Sequence, residues 1–163
     1  WQMTIGIGYD AHKISKKGKM ALGGITIDEM KAFDAHSDGD VVIHSLIDAI
    51  LGAASSSTDK LHSNIGEYFN SNNTEKNIDS KILLDKIITN VYAYSELSIV
   101  NIDITVIGKK PFIQNYKDIM LKVLSTLLKI RKKQINIKGK SNNGIDSNGK
   151  GHSLSCITVI QMQ

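Results

Sequence analysis

Three residues from two parts of the chain have the side chains and spacing of a metal site. Residues 4–10 alternate Ile with Gly and then supply Asp10 and, two positions later, His12. Residues two apart in an extended chain point to the same side, as two ligands of one ion must. His44 is the candidate third ligand, and one Asp with two His around tetrahedral Zn²⁺ leaves a position open for catalysis. An ordinary polar strand end is the simpler alternative, because an Asp and a His two apart are a weak signal.

His44 lies in residues 35–52, where the apolar pattern predicts a helix from Gly39 to about Ala54. Asp40, His44 and Asp48 recur every four residues, which places them on one helical face. The other faces are almost entirely apolar, so most of the helix should be buried. A buried Asp-His-Asp stripe is costly unless it binds something. A stripe that simply faces water is the alternative.

The start of this helix has the features of an anion site. His36, Ser37 and Asp38 precede it, and Ser37 or Asp38 is expected to cap its free N–H groups. Asp40 would then be a carboxylate in the first turn. Unpaired N–H groups beside a His and a Ser favour the binding of an anion.

Length and composition predict one globular domain. The chain has 163 residues, 41% of them hydrophobic, and no apolar run of membrane-spanning length. Its one cysteine, Cys156, excludes an internal disulfide and is expected to be a buried, inert thiol in a reducing compartment. The net charge of +4, almost all of it from lysine, is compatible with a phosphorylated substrate and too weak to indicate nucleic acid.

Alternating and helical periodicities in the rest of the chain predict an α+β fold, with a mixed four-stranded sheet and helices on one face. The last two strands are expected to be joined by a tight connection. Residues 55–77 are long, polar and without periodicity, which is typical of either a functional loop or a disordered one. The predicted elements are a short strand with a glycine bend at Met20–Ile27, strands at Val100–Ile107, Gln134–Lys138 and Leu154–Gln161, and helices from Asp79 and over about 115–130.

These motifs together resemble the 2-C-methyl-D-erythritol 2,4-cyclodiphosphate synthase family over nearly the full length. The most specific part is the block Ala-His-Ser-Asp-Gly-Asp through His44 to Asp48-Ala-Ile-Leu-Gly. The supporting matches are Gly-Tyr-Asp10-Ala-His12, Leu22-Gly-Gly-Ile-Thr-Ile27, Asn64-Ile-Gly66, Asp79-Ser80, Asn101-Ile-Asp103, Pro111 and Lys138-Gly-Lys140.

The resemblance implies a single domain over residues 1–163 that forms a homotrimer, with active sites between neighbouring subunits. The implied reaction cyclises 4-diphosphocytidyl-2-C-methyl-D-erythritol 2-phosphate to the 2,4-cyclodiphosphate and releases CMP, in non-mevalonate isoprenoid synthesis. Such an enzyme is a phosphorus–oxygen lyase. A zinc-dependent phosphohydrolase of a small metabolite is the first alternative, and an RNA-binding module using residues 138–151 is a weaker one.

The resemblance also assigns roles to residues. Asp10, His12 and His44 would hold Zn²⁺ or another divalent cation, while Mg²⁺ or Mn²⁺ would bridge the substrate phosphates. His36 and Ser141 would stabilise the transition state, and Gly108 to Gln114 would form the cytidine pocket of the adjacent subunit. The implied substrate-binding positions are Asp10, His12, His36, Ser37 (phosphate), Asp48 (erythritol hydroxyls), Asn64, Ile65, Gly66, Phe69, Gly108, Lys109, Lys110, Pro111, Phe112, Ile113, Gln114, Lys140, Ser141, Asn142, Asn143 and Lys150.

The chain departs from the family pattern at several positions. Asn64 replaces an Asp, and residues 55–63 contain a local insertion. Asn143 replaces the Glu that joins the phosphates around Mg²⁺, which should weaken Mg²⁺ binding because hard cations favour carboxylates. Lys150 matches a basic position lining the trimer's central cavity, but His152 replaces its acidic neighbour.

Two further expectations concern Asp40 and the location of the protein. Asp40 is predicted to fix a metal-binding imidazole from the outer shell. A first residue, Trp1, that is not Met and a composition typical of AT-rich codons favour a plastid protein processed from a longer precursor. The bacterial cytoplasm is the alternative location.

Overall fold

The computed structural model describes residues 2–15 and 17–163. Within them the chain forms six strands and four α-helices, and none of these helices is long and apolar enough to cross a membrane. The elements in chain order are β1 (Thr4–Lys13), β2 (Met20–Leu22), β3 (Ile25–Ile27), α1 (Val41–Ala54), α2 (Ile65–Tyr68), α3 (Ser80–Tyr94), β4 (Ile99–Ile107), α4 (Lys117–Leu128), β5 (Ile135–Lys140) and β6 (Ser153–Met162).

The main sheet has the strand order β1-β6-β4-β5. β6 is antiparallel to both of its neighbours, whereas β4 and β5 are parallel, so the predicted mixed four-stranded sheet is confirmed. The last two strands are not neighbours, because β4 lies between them and residues 141–152 must cross it. The predicted tight connection was therefore wrong in its topology. The Met20–Ile27 segment bends at its two glycines into a separate hairpin of β2 and β3.

Helix α1 is the centre of the core and packs against β1 and β6. Eleven of its residues are buried, as the apolar pattern predicts. Glycines of β1 face this helix: a Cβ on Gly6 would lie 1.9 Å from Ala49 O, and one on Gly8 would lie 1.8 Å from Ser45 O. The glycines of β1 therefore allow a contact between helix and strand that no larger residue permits.

The cap of α1 is Asp40, not Ser37 or Asp38, and the helix begins at Val41. One carboxylate oxygen of Asp40 accepts from the backbone N–H groups of Val42 and Ile43 at 3.1 Å. The same carboxylate accepts from Gly23 N at 2.9 Å and Gly24 N at 2.8 Å, which ties the β2–β3 hairpin to the helix.

The predicted role of Asp40 beside an imidazole was wrong. Its side chain is fully buried, and none of its side-chain hydrogen bonds within the described residues reaches a histidine. Burial raises the pKa of Asp40 despite the four N–H donors. The carboxylate is thus a structural link between backbone segments.

The outer face of the sheet is apolar where β1 and β6 meet. Ile5, Ile7 and Tyr9 alternate with the buried glycines and are 67%, 69% and 59% exposed. Val159, which pairs with Ile7, is 41% exposed. These four residues form a contiguous apolar surface on the side of β1 opposite α1, and we call it the outer apolar patch.

Candidate active site

The predicted metal ligands converge at the junction of β1 and α1. Asp10 and His12 lie on the inner side of β1, and His44 lies one turn into α1. Asp10 Oδ2 is 3.1 Å from His12 Nε2 and 3.0 Å from His44 Nδ1. One potential ligand atom from each residue lies within 4.8 Å of the others, so the three residues could hold a metal ion.

The free nitrogen of His12 and the ionised carboxylate of Asp10 suit a metal site. His12 Nε2 is buried and, among the described residues, has no hydrogen-bond partner, although Asp10 Oδ2 lies 3.1 Å away. Burial by itself would raise the pKa of Asp10, but the adjacent His12 and His44 outweigh it and hold that pKa below its ordinary value. Asp10 is therefore ionised, as a carboxylate that binds a metal must be. A carboxylate and two imidazoles are a donor set that suits Zn²⁺.

The far nitrogen of His44 contacts two serines, and the sequence assigned no role to one of them, Ser80. His44 Nε2 lies 2.9 Å from Ser80 Oγ and 3.2 Å from Ser37 Oγ. Ser80 in turn donates to Asp38. Burial would lower the pKa of His44, but its hydrogen bond to Asp10 and the charge of that carboxylate prevail and raise it. The Asp79-Ser80 match in the sequence was the available signal for this contact.

The metal ligands open into a cavity of about 210 Å³ that also contains His36 and Ser37. His36 Nε2 lies 2.9 Å from the carbonyl oxygen of Thr74, and Asn77 N donates to His36 O at 2.7 Å. The residues that line this metal cavity are Asp10, His12, Ala35, His36, Ser37, His44, Ile65, Phe69, Asn70, Ser71, Thr74 and Leu83. Part of the long polar segment 55–77, from residue 65 to residue 74, thus lines one wall of the cavity.

Asp48 and the segment Asn64–Gly66 meet at the start of α2. Asp48 Oδ1 accepts from Ile65 N at 2.7 Å, and burial raises the pKa of Asp48. Asn64 caps α2 by accepting from Glu67 N at 3.2 Å. The structure therefore brings the predicted positions 48 and 64–66 together beside Phe69 of the metal cavity.

A second cavity, of about 610 Å³, contains most of the other predicted positions, and we call it the turn cavity. Lys110, Asn142 and Lys150 do not line it: Lys110 Nζ lies over the Phe112 ring at 5.8 Å, and Asn142 donates to Asp146. The residues that do are Gly108, Lys109, Pro111, Phe112, Ile113, Gln114, Lys140, Ser141 and Asn143, together with Val106, Lys117, Ile137, Lys138, Gly139 and Leu154.

The two cavities share no lining residue within the described part of the chain. His36 lines the metal cavity, whereas Ser141 lines the turn cavity, where its hydroxyl donates to Asn143 Oδ1 at 2.9 Å. One chain thus carries the two predicted catalytic residues in separate places.

The model of the YgbB family matches residues 3–163, nearly all of the chain. The chain belongs to this family. It is 38% identical over 162 residues to 2-C-methyl-D-erythritol 2,4-cyclodiphosphate synthase of Brachyspira hyodysenteriae, covering 98% of each. It is also 42% identical over 159 residues to the bifunctional enzyme IspD/IspF of Sulfurimonas denitrificans, spanning 97% of this chain but only 39% of that relative.

Solved structures agree with these relatives. The chain matches a CDP complex of IspF from Plasmodium falciparum with a TM-score of 0.82 and 34% identity, over 98% of this chain and 95% of that one. It matches bifunctional IspDF from Campylobacter jejuni with a TM-score of 0.89 and 28% identity, over 99% of this chain and 42% of that one. The family resemblance seen in the sequence is confirmed, and the phosphohydrolase alternative has no support among these relatives.

Proposed function

We propose that the protein cyclises 4-diphosphocytidyl-2-C-methyl-D-erythritol 2-phosphate to 2-C-methyl-D-erythritol 2,4-cyclodiphosphate with release of CMP. This would make it a phosphorus–oxygen lyase of the non-mevalonate isoprenoid pathway. The observation that carries the proposal is the convergence of Asp10, His12 and His44 beside His36 and Ser37, in a chain that matches a named synthase over 98% of both lengths. The proposed enzyme is one domain, residues 1–163.

Asp10, His12 and His44 would hold Zn²⁺, which supplies Lewis-acid polarisation of the diphosphate when bound. Formation of the ring needs positioning of the 2-phosphate and the β-phosphorus more than a protein nucleophile. Ser141 and Asn143 would hold a Mg²⁺ or Mn²⁺ ion through neutral oxygen atoms, and the ion would supply positive charge to the substrate phosphates.

The chain's own residues position the phosphates and the sugar. The Thr74 carbonyl can only accept, so His36 Nε2 carries a proton toward it, and a charged His36 would present Nδ1–H to a phosphate oxygen. Ser37 would donate to the phosphate from the same wall. Asp48 would accept from the erythritol hydroxyls, and the turn cavity would take the cytidine.

Two observations support a homotrimer with shared active sites. The metal cavity and the turn cavity are separate on one chain, although the proposed reaction needs residues from both. Ile5, Ile7, Tyr9 and Val159 of the outer apolar patch form one contiguous exposed surface and are not scattered single residues. Contiguous apolar surfaces of this kind mark interfaces. We place neighbouring subunits on this face, so that one subunit's metal cavity meets the next subunit's turn cavity.

The relatives named above bear on where the protein is located in the cell. The curated relatives named above are bacterial proteins, which is compatible with the bacterial cytoplasm. A plastid location stays a prediction.

A turnover assay tests the proposed function. The purified protein, incubated with the cytidyl substrate, should form CMP and the cyclic diphosphate in equal amounts. His44→Ala should abolish turnover and lower the zinc content from about one ion per chain. His152→Ala changes an exposed histidine outside both cavities and serves as the matched control. Release of inorganic phosphate without CMP, or zinc content unchanged in His44→Ala, would overturn the proposal.

A further inference from the structure

Ser80 is a fully buried hydroxyl between His44 and Asp38. Its Oγ lies 2.9 Å from His44 Nε2 and donates to Asp38 Oδ1. The backbone N–H of Ser80 donates to the other oxygen of the same carboxylate at 2.9 Å. Ser80 is the first residue of α3, so this contact joins α3 to the metal-binding face of α1.

The number of hydrogens in this chain of contacts fixes the direction of each bond. A serine hydroxyl has one hydrogen, and in Ser80 it is given to Asp38. Asp38 also accepts from the backbone N–H of Asp40 at 3.1 Å, so its carboxylate acts as an acceptor throughout. Ser80 Oγ can therefore offer only a lone pair to His44, and a stable contact at 2.9 Å requires that His44 Nε2 carry the hydrogen.

We propose that Asp38 and Ser80 are positioning residues that keep the proton of His44 on Nε2. Nδ1, which donates to the ionised Asp10 Oδ2 at 3.0 Å, would then be the nitrogen that gives up its proton when a metal binds. Partners of this kind orient a metal-binding imidazole and raise its basicity. The inference rests on the metal site of the proposed function and adds residues to which that proposal gave no role.

Ser37 is the competitor for the same nitrogen. Its Oγ lies 3.2 Å from His44 Nε2 and accepts from Gly39 N at 3.1 Å, which leaves its own hydrogen free to point at the ring. If Ser37 donated to Nε2, the proton of neutral His44 would move to Nδ1 and block the metal. The shorter contact, from a buried oxygen that cannot donate, favours Ser80 as the partner of His44.

The position of the proton can be measured directly in the wild-type protein. Nitrogen-15 NMR of histidine-labelled, zinc-loaded protein should show the His44 proton on Nε2, protected from exchange with solvent. Ser80→Ala should speed that exchange, because the buried acceptor is lost. Zinc-loaded wild-type protein in which His44 Nε2 carries no proton would overturn the proposal, and this result needs no variant to fold.

Zinc affinity provides the second test. Chelator competition on the full chain should show Zn²⁺ binding weakened about 10–100-fold in Ser80→Ala, the usual cost of losing such a partner. Ser45→Ala is the matched control, because Ser45 is equally buried, adjoins His44 and bonds instead to Thr158 at 2.8 Å. Equal zinc affinities in the two variants would contradict the inference. CMP formation is a separate readout, so failure of the proposed reaction would leave this result interpretable.

Discussion

Asn143 places a neutral amide at the turn cavity, where a carboxylate would supply charge to a cation. Its Oδ1 is occupied by the Ser141 hydroxyl at 2.9 Å, and its backbone is in the left-handed region with φ of 48°. An amide oxygen is a weaker ligand for Mg²⁺ than a carboxylate, because hard cations favour charged oxygen. In the proposed enzyme, the side chain at this one position would set how strongly such a cation is held.

Asn143→Glu should lower the Mg²⁺ or Mn²⁺ concentration that gives half-maximal CMP formation. We expect a shift of about tenfold, equivalent to ~1.4 kcal/mol. Asn143→Gln is the control, because it has the same length as Glu and the same cost of a left-handed backbone, but no charge. If both variants have the wild-type activation curve, the residue does not face the cation.

The sequence predicted single residues well where one local pattern decided their geometry. The alternation of β1 placed Asp10 and His12 on one side, and the helical period placed His44 and Asp48 on one face of α1. Ser80 could not be assigned a role, because its contact with His44 depends on how α3 packs against α1.

At the scale of elements, two helices are capped by aspartates that differ in how many backbone N–H groups their carboxylates accept from. Asp40 is fully buried, caps α1 and also accepts from Gly23 N and Gly24 N. Asp79 caps α3 through one bond, from Lys81 N at 2.8 Å, and its side chain is 45% exposed. The first aspartate joins the β2–β3 hairpin to α1, whereas the second satisfies one helix end.

Asp40→Ala should lower the free energy of unfolding by about 2–4 kcal/mol, because it leaves buried N–H groups without partners. Asp79→Ala should cost about 1 kcal/mol, the usual value for a cap. Urea denaturation of both variants at neutral pH measures the difference. Equal losses would show that the hairpin contacts of Asp40 add nothing to its cap.

The elements themselves were largely predictable, but their pairings were not. The apolar run of α1 and the alternation of β4 fixed their types and, within one or two residues, their bounds. The role of Asp40 was misjudged because the hairpin amides that it binds lie 16–17 positions earlier in the chain. The order of β5 and β6 likewise depends on long-range pairing, which no local period encodes.

At the scale of the whole molecule, the outer apolar patch and the two cavities lead to one prediction about assembly. A single chain has the metal cavity and the turn cavity but does not join them. Its sheet meanwhile exposes Ile5, Ile7 and Tyr9 on the face opposite α1. An assembly that covers this face would exclude water from the apolar side chains, a favourable change roughly in proportion to the area buried.

Ile7→Glu should therefore dissociate the assembly and abolish CMP formation while leaving zinc bound. Ile7 is 69% exposed in the single chain, so the change should alter the stability of the folded chain by no more than about 0.5 kcal/mol. Light scattering should give three times the 17.9 kDa chain mass for the wild type and one chain mass for the variant. Ile119→Glu, at an equally apolar residue of α4 that is 56% exposed, is the control and should remain trimeric and active. A monomeric Ile7→Glu variant with full activity would show that one chain contains a complete site, because no residue of a neighbour would then be needed.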